Sequence, residues 1–187
     1  GHFKNSFNNK GGVQVVFEKN EVSSIAQSMM GNVLITKQTG KSGKTVNRIF
    51  IEQGCDIDRE FYLSLLVDRN KSKVMMMISS AGGMDIEEVA VTNPEKIINI
   101  YFTKYKDISL DESLLKKLEI SKNQLDELIS IINKLLKAFT SIDASTIEIN
   151  PLVLNKQGSF VVLDAKISLD DNALFRHPEL ADLKDLT

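Results

Sequence analysis

Two short segments carry the side chains best suited to chemistry. Glu148 and Asn150 stand in the stretch EINPLV, and Asp164 and Lys166 stand in LDAK. The letters NKQG between them are typical of a turn, and the flanking residues are strand-like, so residues 148–166 are predicted to form a β-hairpin. Side-chain oxygens of Asn and Asp suit Mg²⁺, which usually takes one or two ligands from protein and the rest from phosphate and water. The chemistry indicated is therefore metal-assisted binding of a phosphate.

The register of this hairpin decides whether those side chains meet. A four-residue loop would pair Leu154 with Ser159 and place Asn150 opposite Leu163. A three-residue loop, residues 156–158, would pair Asn155 with Ser159. Such loops favour glycine at their last position, where the backbone is left-handed, and Gly158 stands there.

In the three-residue register, the numbers of paired residues add to 314. Two polar pairs then face each other across the strands: Asn150 with Asp164, and Glu148 with Lys166. Directly opposed side chains have Cβ atoms roughly 5 Å apart, so both pairs could act together. Lys166 could neutralise Glu148 or reach a phosphate.

Alternation along the hairpin predicts one apolar face and one mixed face. The apolar face is expected to hold Ile147, Ile149, Pro151 and Val153 opposite Ile167, Ala165, Leu163 and Val161. The other would carry Leu152 and Val162 near the turn and then the two polar pairs. Pro151 removes one ladder donor, so the strand is expected to lie at an edge or to be bulged there. Spacing alone also fits a half-exposed hairpin whose outer face is simply polar.

The composition narrows the class of protein. The chain has 187 residues and a net charge of -2, which favours neither a nucleic acid nor a membrane as partner. The single cysteine, Cys55, excludes an internal disulfide and fits a reducing compartment or the mitochondrial matrix. No apolar run approaches the length that spans a bilayer.

The predicted strands and helices follow one another without strict β–α–β alternation. Strands are predicted at residues 11–17, 33–39, 46–54, 60–69 and 73–80, and helices within 18–31, 85–97 and 108–120 and over 122–139. The last helix has a broad apolar stripe at three- and four-residue steps. Gly82 and Gly83 interrupt a strand, which indicates either a bulge or close backbone approach, or else a plain turn. The expected class is α+β with a largely antiparallel sheet.

Four blocks, in order, resemble the β subunit of the succinyl-CoA synthetase (succinate–CoA ligase) family. They are TKQTGKSGKTVNRIFIEQGCDIDREFYLSLLVDR, GGMDIEEVA, EINPLV with LDAK, and LDDNALFRHPEL. The resemblance runs from about Lys10 to Leu186. The opening GHFKNSFNNKGGV is similar to a longer loop of mitochondrial forms.

The resemblance implies a partial ATP-grasp fold, in which two α+β lobes with mostly antiparallel sheets grip a nucleotide. Residues 1–54 would be the remainder of the N-terminal subdomain, and residues 55–187 the second subdomain with the metal-binding hairpin. The implied site residues are Asn150 and Asp164 for Mg²⁺, Glu52, Cys55 and Glu60 for the nucleotide, and Glu148 as the catalytic residue that meets a phosphohistidine. From the sequence alone, Glu52 and Glu60 could instead be solvated strand-edge residues, and Cys55 a small half-buried one.

The resemblance also implies an activity and a partner. Succinyl-CoA, phosphate and ADP or GDP would interconvert with succinate, CoA and ATP or GTP, through a histidine of an α subunit. The family's N-terminal phosphate loop and C-terminal flavodoxin-like domain are not matched, so these 187 residues alone are expected to be inactive and to bind nucleotide weakly. A related ligase acting on malate or citrate and a non-catalytic assembly module remain as alternatives.

Overall fold

The structure, a computed structural model, describes residues 2–4, 11–36, 39–103, 108–181 and 183. Most of the opening loop predicted from GHFKNSFNNKGGV and the last residues of the resemblance lie outside this part. The chain divides into two units, Gly1–Cys55 and Asp56–Thr187, and each is described by itself.

The first unit is a small antiparallel sheet with one helix. Its elements are β1 (His2–Phe3), α1 (Val22–Met29), β2 (Val33–Ile35) and β3 (Lys44–Thr45), and the strand order is β1-β2-β3. The predicted helix is confirmed as α1 with a single 3₁₀ turn, Lys19–Glu21, before it. Gly31, two residues past the helix, has a φ of 75°, which suits glycine at a helix end.

Two predicted strands of this unit are wrong, and a third is too long. Residues 13–16 and 46–54 form no strand, and β2 ends at Ile35, with residues 37 and 38 outside the described part. The Thr36 and Thr39 side chains instead hydrogen-bond to each other's backbone N–H and close a turn. Val13 and Phe50 are 88% and 84% exposed, so their strand-like pattern finds no neighbouring strand to pack with.

The second unit contains the larger sheet and most of the helices. Its elements are β4 (Ile57–Asp68), β5 (Lys73–Ser79), α2 (Ile86–Thr92), β6 (Ile97–Phe102), α3 (Ser113–Leu118), α4 (Lys122–Ser141), β7 (Ala144–Asn155), β8 (Phe160–Val162), β9 (Ala165–Leu169) and α5 (Pro178–Ala181). The strand order is β6-β5-β4-β7-β8, with β9 also paired to β7. Every pair in this sheet is antiparallel, as the α+β class predicts.

Helix α4 contributes five side chains to the core on one face of the sheet. Its predicted stripe is confirmed: five of its side chains are buried, namely Leu125, Leu128, Ile132, Leu136 and Phe139. The helix begins with a capping box, in which the Ser121 hydroxyl accepts from the Gln124 backbone N–H and the Gln124 side chain accepts from the Ser121 backbone N–H. From β4, the alternating residues Phe61, Leu63 and Leu65 join the same core.

One strand of the second unit, β6, was missed from the sequence, as were the two-residue strands β1 and β3 of the first. β6 follows a single 3₁₀ turn, Pro94–Lys96, inside and just beyond the region predicted as partly helical. The apolar–polar alternation of its sequence is weak, because Ile97 and Ile98 are both apolar. In the structure, β6 lies at the edge of the sheet beside β5. Among the described residues, no helix is both long and apolar enough to cross a membrane.

Candidate functional site

The hairpin forms in the three-residue register. The Asn155 backbone N–H donates to the Ser159 carbonyl at 2.9 Å, and Gly158 closes the loop with a φ of 85°. Strands β7 and β9 pair Glu148 with Lys166 and Ile149 with Ala165. The backbone N–H of Asn150 donates to the carbonyl of Asp164 at 3.2 Å, so the two predicted metal ligands face each other across the hairpin.

The predicted apolar face is correct for Ile147 and Ile149, which belong to the core, and wrong for Ala165 and Ile167 opposite them, which are exposed. Past Pro151, Leu152 and Leu154 join the same core cluster, and Val153 is buried outside it. The pairing with β4 explains this: Leu63 pairs with Ile149 and Phe61 with Leu152, so two residues of β7 lie opposite the single residue between them on β4. This bulge, at a cis Asn150–Pro151 peptide bond, shifts the alternation by one residue.

The bulge interpretation of Pro151 is therefore confirmed, and the edge interpretation is wrong. β7 lies between β4 on one side and the broken strand β8 and β9 on the other. The break between β8 and β9 falls at residues 163 and 164, beside the bulge. Both irregularities interrupt the ladder at the point where Asn150 and Asp164 meet.

The Asn150 side chain is held by a loop that follows β5. Its Oδ1 accepts a hydrogen bond from the Gly83 backbone N–H at 2.8 Å, and its Nδ2 donates to the Met84 carbonyl at 3.0 Å. A carbonyl oxygen has two lone pairs, and Gly83 takes only one of them. The second lone pair of Oδ1 remains for a cation.

The donor chemistry of this pair fits Mg²⁺. Asp164 is exposed, and no described residue forms a hydrogen bond or ion pair with its carboxylate. No group of three or more His, Cys, Asp or Glu side chains that could hold a metal occurs among the described residues. Two oxygen ligands, one charged and one neutral, match the small number that protein usually supplies to a Mg²⁺ that also binds nucleotide phosphates.

Glu60 lies beside the same loop. Its carbonyl accepts from the Gly82 backbone N–H at 3.1 Å. Its carboxylate lies over Gly83, where a Cβ added to Gly83 would come within 2.7 Å of Oε2. The loop therefore touches both the predicted nucleotide ligand Glu60 and the predicted metal ligand Asn150, so of the two interpretations of Gly82 and Gly83, the close backbone approach is correct.

Glu148 points to the sheet face that turns away from α4. Its register partner on β4 is Ser64, and Lys166 pairs with it from β9. Within the described residues, the Glu148 carboxylate has no ion pair or hydrogen bond. This carboxylate can therefore still accept a hydrogen bond from a partner.

Tyr62 borders Glu148 on that face. Burial raises the pKa of the Tyr62 phenol above its ordinary value of 10.0, and the Glu148 and Glu87 carboxylates raise it further, while the nearby Ser64 hydroxyl opposes them. The phenol therefore stays protonated and can donate a hydrogen bond at neutral pH. Tyr62 and Ser64 were missed from the sequence, where they read as ordinary strand residues.

Glu52 and Cys55 belong to the first unit. They lie in the segment that follows β3 and has no regular secondary structure, where Glu52 is exposed and Cys55 is half-buried. The strand that was expected to carry Glu52 does not form. Their predicted contact with a nucleotide stays a prediction.

His177 has a structural role in the second unit. It follows a 3₁₀ helix, Asp171–Arg176, and its Nε2–H donates to Asp143 Oδ2 at 2.7 Å. Arg176 Nη2 lies 3.0 Å from the same oxygen. These contacts hold the segment after the hairpin to the start of β7.

The profile of the ATP-grasp domain family matches residues 4–154. The chain belongs to the ATP-grasp family, in agreement with the α+β fold and the antiparallel sheets. Its sequence is similar to curated β subunits of ADP-forming succinate–CoA ligase. It is 47% identical over 187 residues to that of Acidiphilium cryptum, covering 99% of this chain and 47% of the relative.

Two further relatives carry the same name. The identity is 46% over 187 residues with the protein of Paramagnetospirillum magneticum, covering 99% of this chain and 47% of the relative, and 45% over 180 residues with that of Brucella ovis, covering 95% and 45%. The chain thus spans about half the length of the curated relatives that it matches. The resemblance predicted from the four sequence blocks is confirmed.

Solved structures show the fold independently. An ATP citrate lyase of Methanothrix soehngenii in complex with citrate and coenzyme A superposes with a TM-score of 0.58 at 14% identity, covering 90% of this chain and 37% of the other. A Methanosaeta concilii ATP citrate lyase variant gives a TM-score of 0.56 at 13% identity, with the same coverage. At this identity the likeness shows the fold alone.

Proposed function

We propose that this chain is the nucleotide-grasping part of the β subunit of an ADP-forming succinate–CoA ligase. In the intact enzyme it would bind ADP or ATP and exchange a phosphoryl group with a histidine of an α subunit, in the reaction of succinyl-CoA, phosphate and ADP to give succinate, CoA and ATP. The observation that carries the proposal is the register of the hairpin. It brings Asn150 and Asp164 together in a chain whose relatives, at 45–47% identity, carry that enzyme's name.

Each predicted site residue then has a task. Asn150 and Asp164 would hold Mg²⁺, which neutralises negative charge on the nucleotide phosphates during transfer. Glu60, Glu52 and Cys55 would contact the nucleotide. The mitochondrial location also stays a prediction, which the bacterial relatives do not favour. The sequence leaves the choice between ATP and GTP open, and the ADP-forming relatives favour ATP.

Glu148 would orient the partner's histidine. A carboxylate that accepts from one imidazole N–H fixes the tautomer and leaves the other ring nitrogen to carry the phosphoryl group. The absence of an ion pair or hydrogen bond to Glu148 among the described residues supports this task. Lys166 opposite it would favour the approach of the phosphorylated, negatively charged ring.

The division of the chain supports a two-lobed arrangement. We infer that residues 1–54 belong to the first ATP-grasp subdomain and residues 55–187 to the second. The segments of the relatives that this chain does not cover would correspond to the other parts of the enzyme's β subunit.

The test uses the full-length β chain assembled with its α partner. We expect Mg²⁺-dependent formation of ATP from succinyl-CoA, phosphate and ADP, and activity in the reverse direction with succinate rather than with malate or citrate. The double variant Asn150→Ala/Asp164→Ala should lose at least a hundredfold in kcat. The matched control Asn99→Ala/Asp58→Ala changes an exposed amide and an exposed carboxylate of the same sheet and should retain activity.

Two outcomes would overturn the proposal. Preference for malate or citrate would assign the chain to a related ligase. Full activity of the Asn150→Ala/Asp164→Ala variant would remove the hairpin from the reaction.

A further inference from the structure

We propose that residues 81–84, here called the glycine loop, are a positioning element that fixes the orientation of the Asn150 amide and joins it to Glu60. The inference rests on the proposed function, because it takes Asn150 as a ligand of Mg²⁺. The glycine loop gives a reason why an amide, rather than a carboxylate, stands at position 150. It also makes metal binding depend on Gly82, Gly83 and Met84.

The two polar ends of the Asn150 side chain have separate partners on the loop. The Gly83 N–H donates to Oδ1 at 2.8 Å, and Nδ2 donates to the Met84 carbonyl at 3.0 Å. Rotating the amide by half a turn would set its NH₂ group against the Gly83 N–H and its oxygen against the Met84 carbonyl. Both contacts would then be repulsive, so the loop admits one orientation of the amide.

This orientation explains why an asparagine occupies the position. An aspartate has the charge that a divalent cation prefers, but it has no hydrogen atom to donate to Met84. Its second oxygen would face the Met84 carbonyl across about 3 Å, a contact between two acceptors. The carboxylate would have to turn away, and its other oxygen would lose the position set by Gly83.

Gly82 is required by close approach to the backbone of β4, and Gly83 by its backbone conformation. A Cβ on Gly82 would lie 2.4 Å from the backbone nitrogen of Phe61, which is a backbone clash. Gly83 has a φ of 69°, and a Cβ there would lie 2.7 Å from Glu60 Oε2. The loop can therefore reach Asn150 only because it passes directly over β4 at Glu60.

The loop is also anchored through its first two residues. The Ala81 N–H donates to the buried Ser79 hydroxyl at 3.1 Å, and the Gly82 N–H donates to the Glu60 carbonyl at 3.1 Å. Ser79 is 0% exposed. A loop fixed at β5 and β4 can transmit a displacement of the Glu60 carboxylate to the Asn150 amide, which couples the nucleotide ligand to the metal ligand.

The experiment compares Asn150→Asp, Asn150→Ala and Gly83→Ala in the full-length β chain assembled with its α partner. Two controls are matched to them. Asn99→Asp adds a carboxylate to the exposed side of the same sheet, and Gly31→Ala adds a Cβ at a positive φ in open space. Affinity for Mn²⁺ in the presence of ADP is measured from the electron paramagnetic resonance signal of the free ion. Amide exchange of residues 81–85 is measured without metal or nucleotide.

We expect Asn150→Asp to bind Mn²⁺ at least tenfold more weakly than the parent and to exchange faster at residues 81–85. Gly83→Ala should lose affinity by a similar factor although Asn150 is intact. Both controls should match the parent. The KM for ADP should rise in Gly83→Ala, because the Glu60 carboxylate is displaced with the loop.

The inference and the proposed function fail in different ways. If Asn150→Ala keeps the parent's Mn²⁺ affinity, Asn150 is not a ligand and the proposed function loses its metal site. If Asn150→Ala loses affinity but Asn150→Asp keeps it, or loses it with unchanged exchange at residues 81–85, the loop does not position the ligand. Unchanged Mn²⁺ affinity in Gly83→Ala would also overturn the inference.

Discussion

Asp143 joins three parts of the second unit. Its carboxylate accepts a hydrogen bond from His177 at 2.7 Å and lies 3.0 Å from Arg176. Its main-chain carbonyl accepts from the Asp170 N–H at 2.9 Å. The hydrogen bond from His177 lowers the pKa of Asp143 below its ordinary value of 3.8, and the Arg176 charge adds to this, while partial desolvation opposes both.

The lowered pKa gives a pH dependence with a defined sign. Because the folded state favours the carboxylate, the stabilisation by Asp143 is complete above pH 3.8 and is lost as the pH falls through the lowered pKa. Asp143→Asn should therefore lower the urea midpoint at pH 7, and the difference from the parent should shrink at pH values well below 3.8. Urea denaturation at a series of pH values measures this. A difference that does not change with pH would contradict it, and Asp58→Asn serves as the exposed control.

At the residue scale, the sequence was most informative where a turn set the register. The letters NKQG with glycine last, together with the three-residue loop rule, were enough to place Asn150 opposite Asp164. The hydrogen bonds of the Asn150 amide could not be predicted, because Gly83 and Met84 lie more than sixty residues away in sequence. The paired glycines after a strand were a signal of close approach, but they did not identify what was approached.

At the element scale, the turn of the hairpin depends on the left-handed backbone of Gly158. Its φ of 85° costs an L-residue roughly 1–2 kcal/mol, and a Cβ there would meet no atom closer than the Gln124 side chain at 3.8 Å. Gly158→Ala should lower the free energy of unfolding by about that amount through backbone strain alone. Chemical denaturation of the variant beside Gly54→Ala, a glycine without positive φ and with open space around it, measures the effect. Equal stabilities of the two variants would show that the turn does not need glycine.

Helix α4 should dominate the stability of the second unit. Ile132 is 0% exposed in the core, so Ile132→Ala should cost about 2–5 kcal/mol through lost burial and a cavity. The exposed neighbour Lys134→Ala should change the stability by less than about 0.5 kcal/mol. Thermal and urea unfolding provide the comparison. A loss below about 1 kcal/mol for Ile132→Ala would mean that the site collapses around the smaller side chain.

Elements with a full apolar stripe or a buried centre were predictable, and isolated strand-like segments were not. Helix α4 and strands β4 and β5 follow the expected boundaries within a few residues. Residues 46–54 have β-branched and aromatic side chains, yet Phe50 and Ile51 are exposed and no strand forms. Strand formation depends on a neighbour that the local sequence does not specify.

On the scale of the whole molecule, the two units differ in how much of each is buried. In Gly1–Cys55 none of the described residues is buried, whereas in Asp56–Thr187 the central strands β4, β5 and β7 carry a continuous buried core. Regions with few buried contacts open at low free energy.

Amide exchange of the 187-residue chain should therefore separate the two units. Backbone amides of β4, β5 and β7 should exchange slowest, close to the limit set by global unfolding, and those of β2 should exchange faster by orders of magnitude. Mass spectrometry of the labelled peptides reports both. Protection of Val33–Ile35 equal to that of Lys73–Ser79 would show that the first unit has a stable core of its own.

We propose that the Asn150 amide and the Asp164 carboxylate together hold a magnesium ion. The most direct measurement is a crystal structure of the full-length β chain with its α partner, Mg²⁺ and ADP. We expect Asn150 Oδ1 and one Asp164 carboxylate oxygen at about 2.0–2.1 Å from the ion, with nucleotide phosphates and water completing an octahedron. A magnesium ion coordinated by phosphates and water alone, with neither side chain among its ligands, would contradict it.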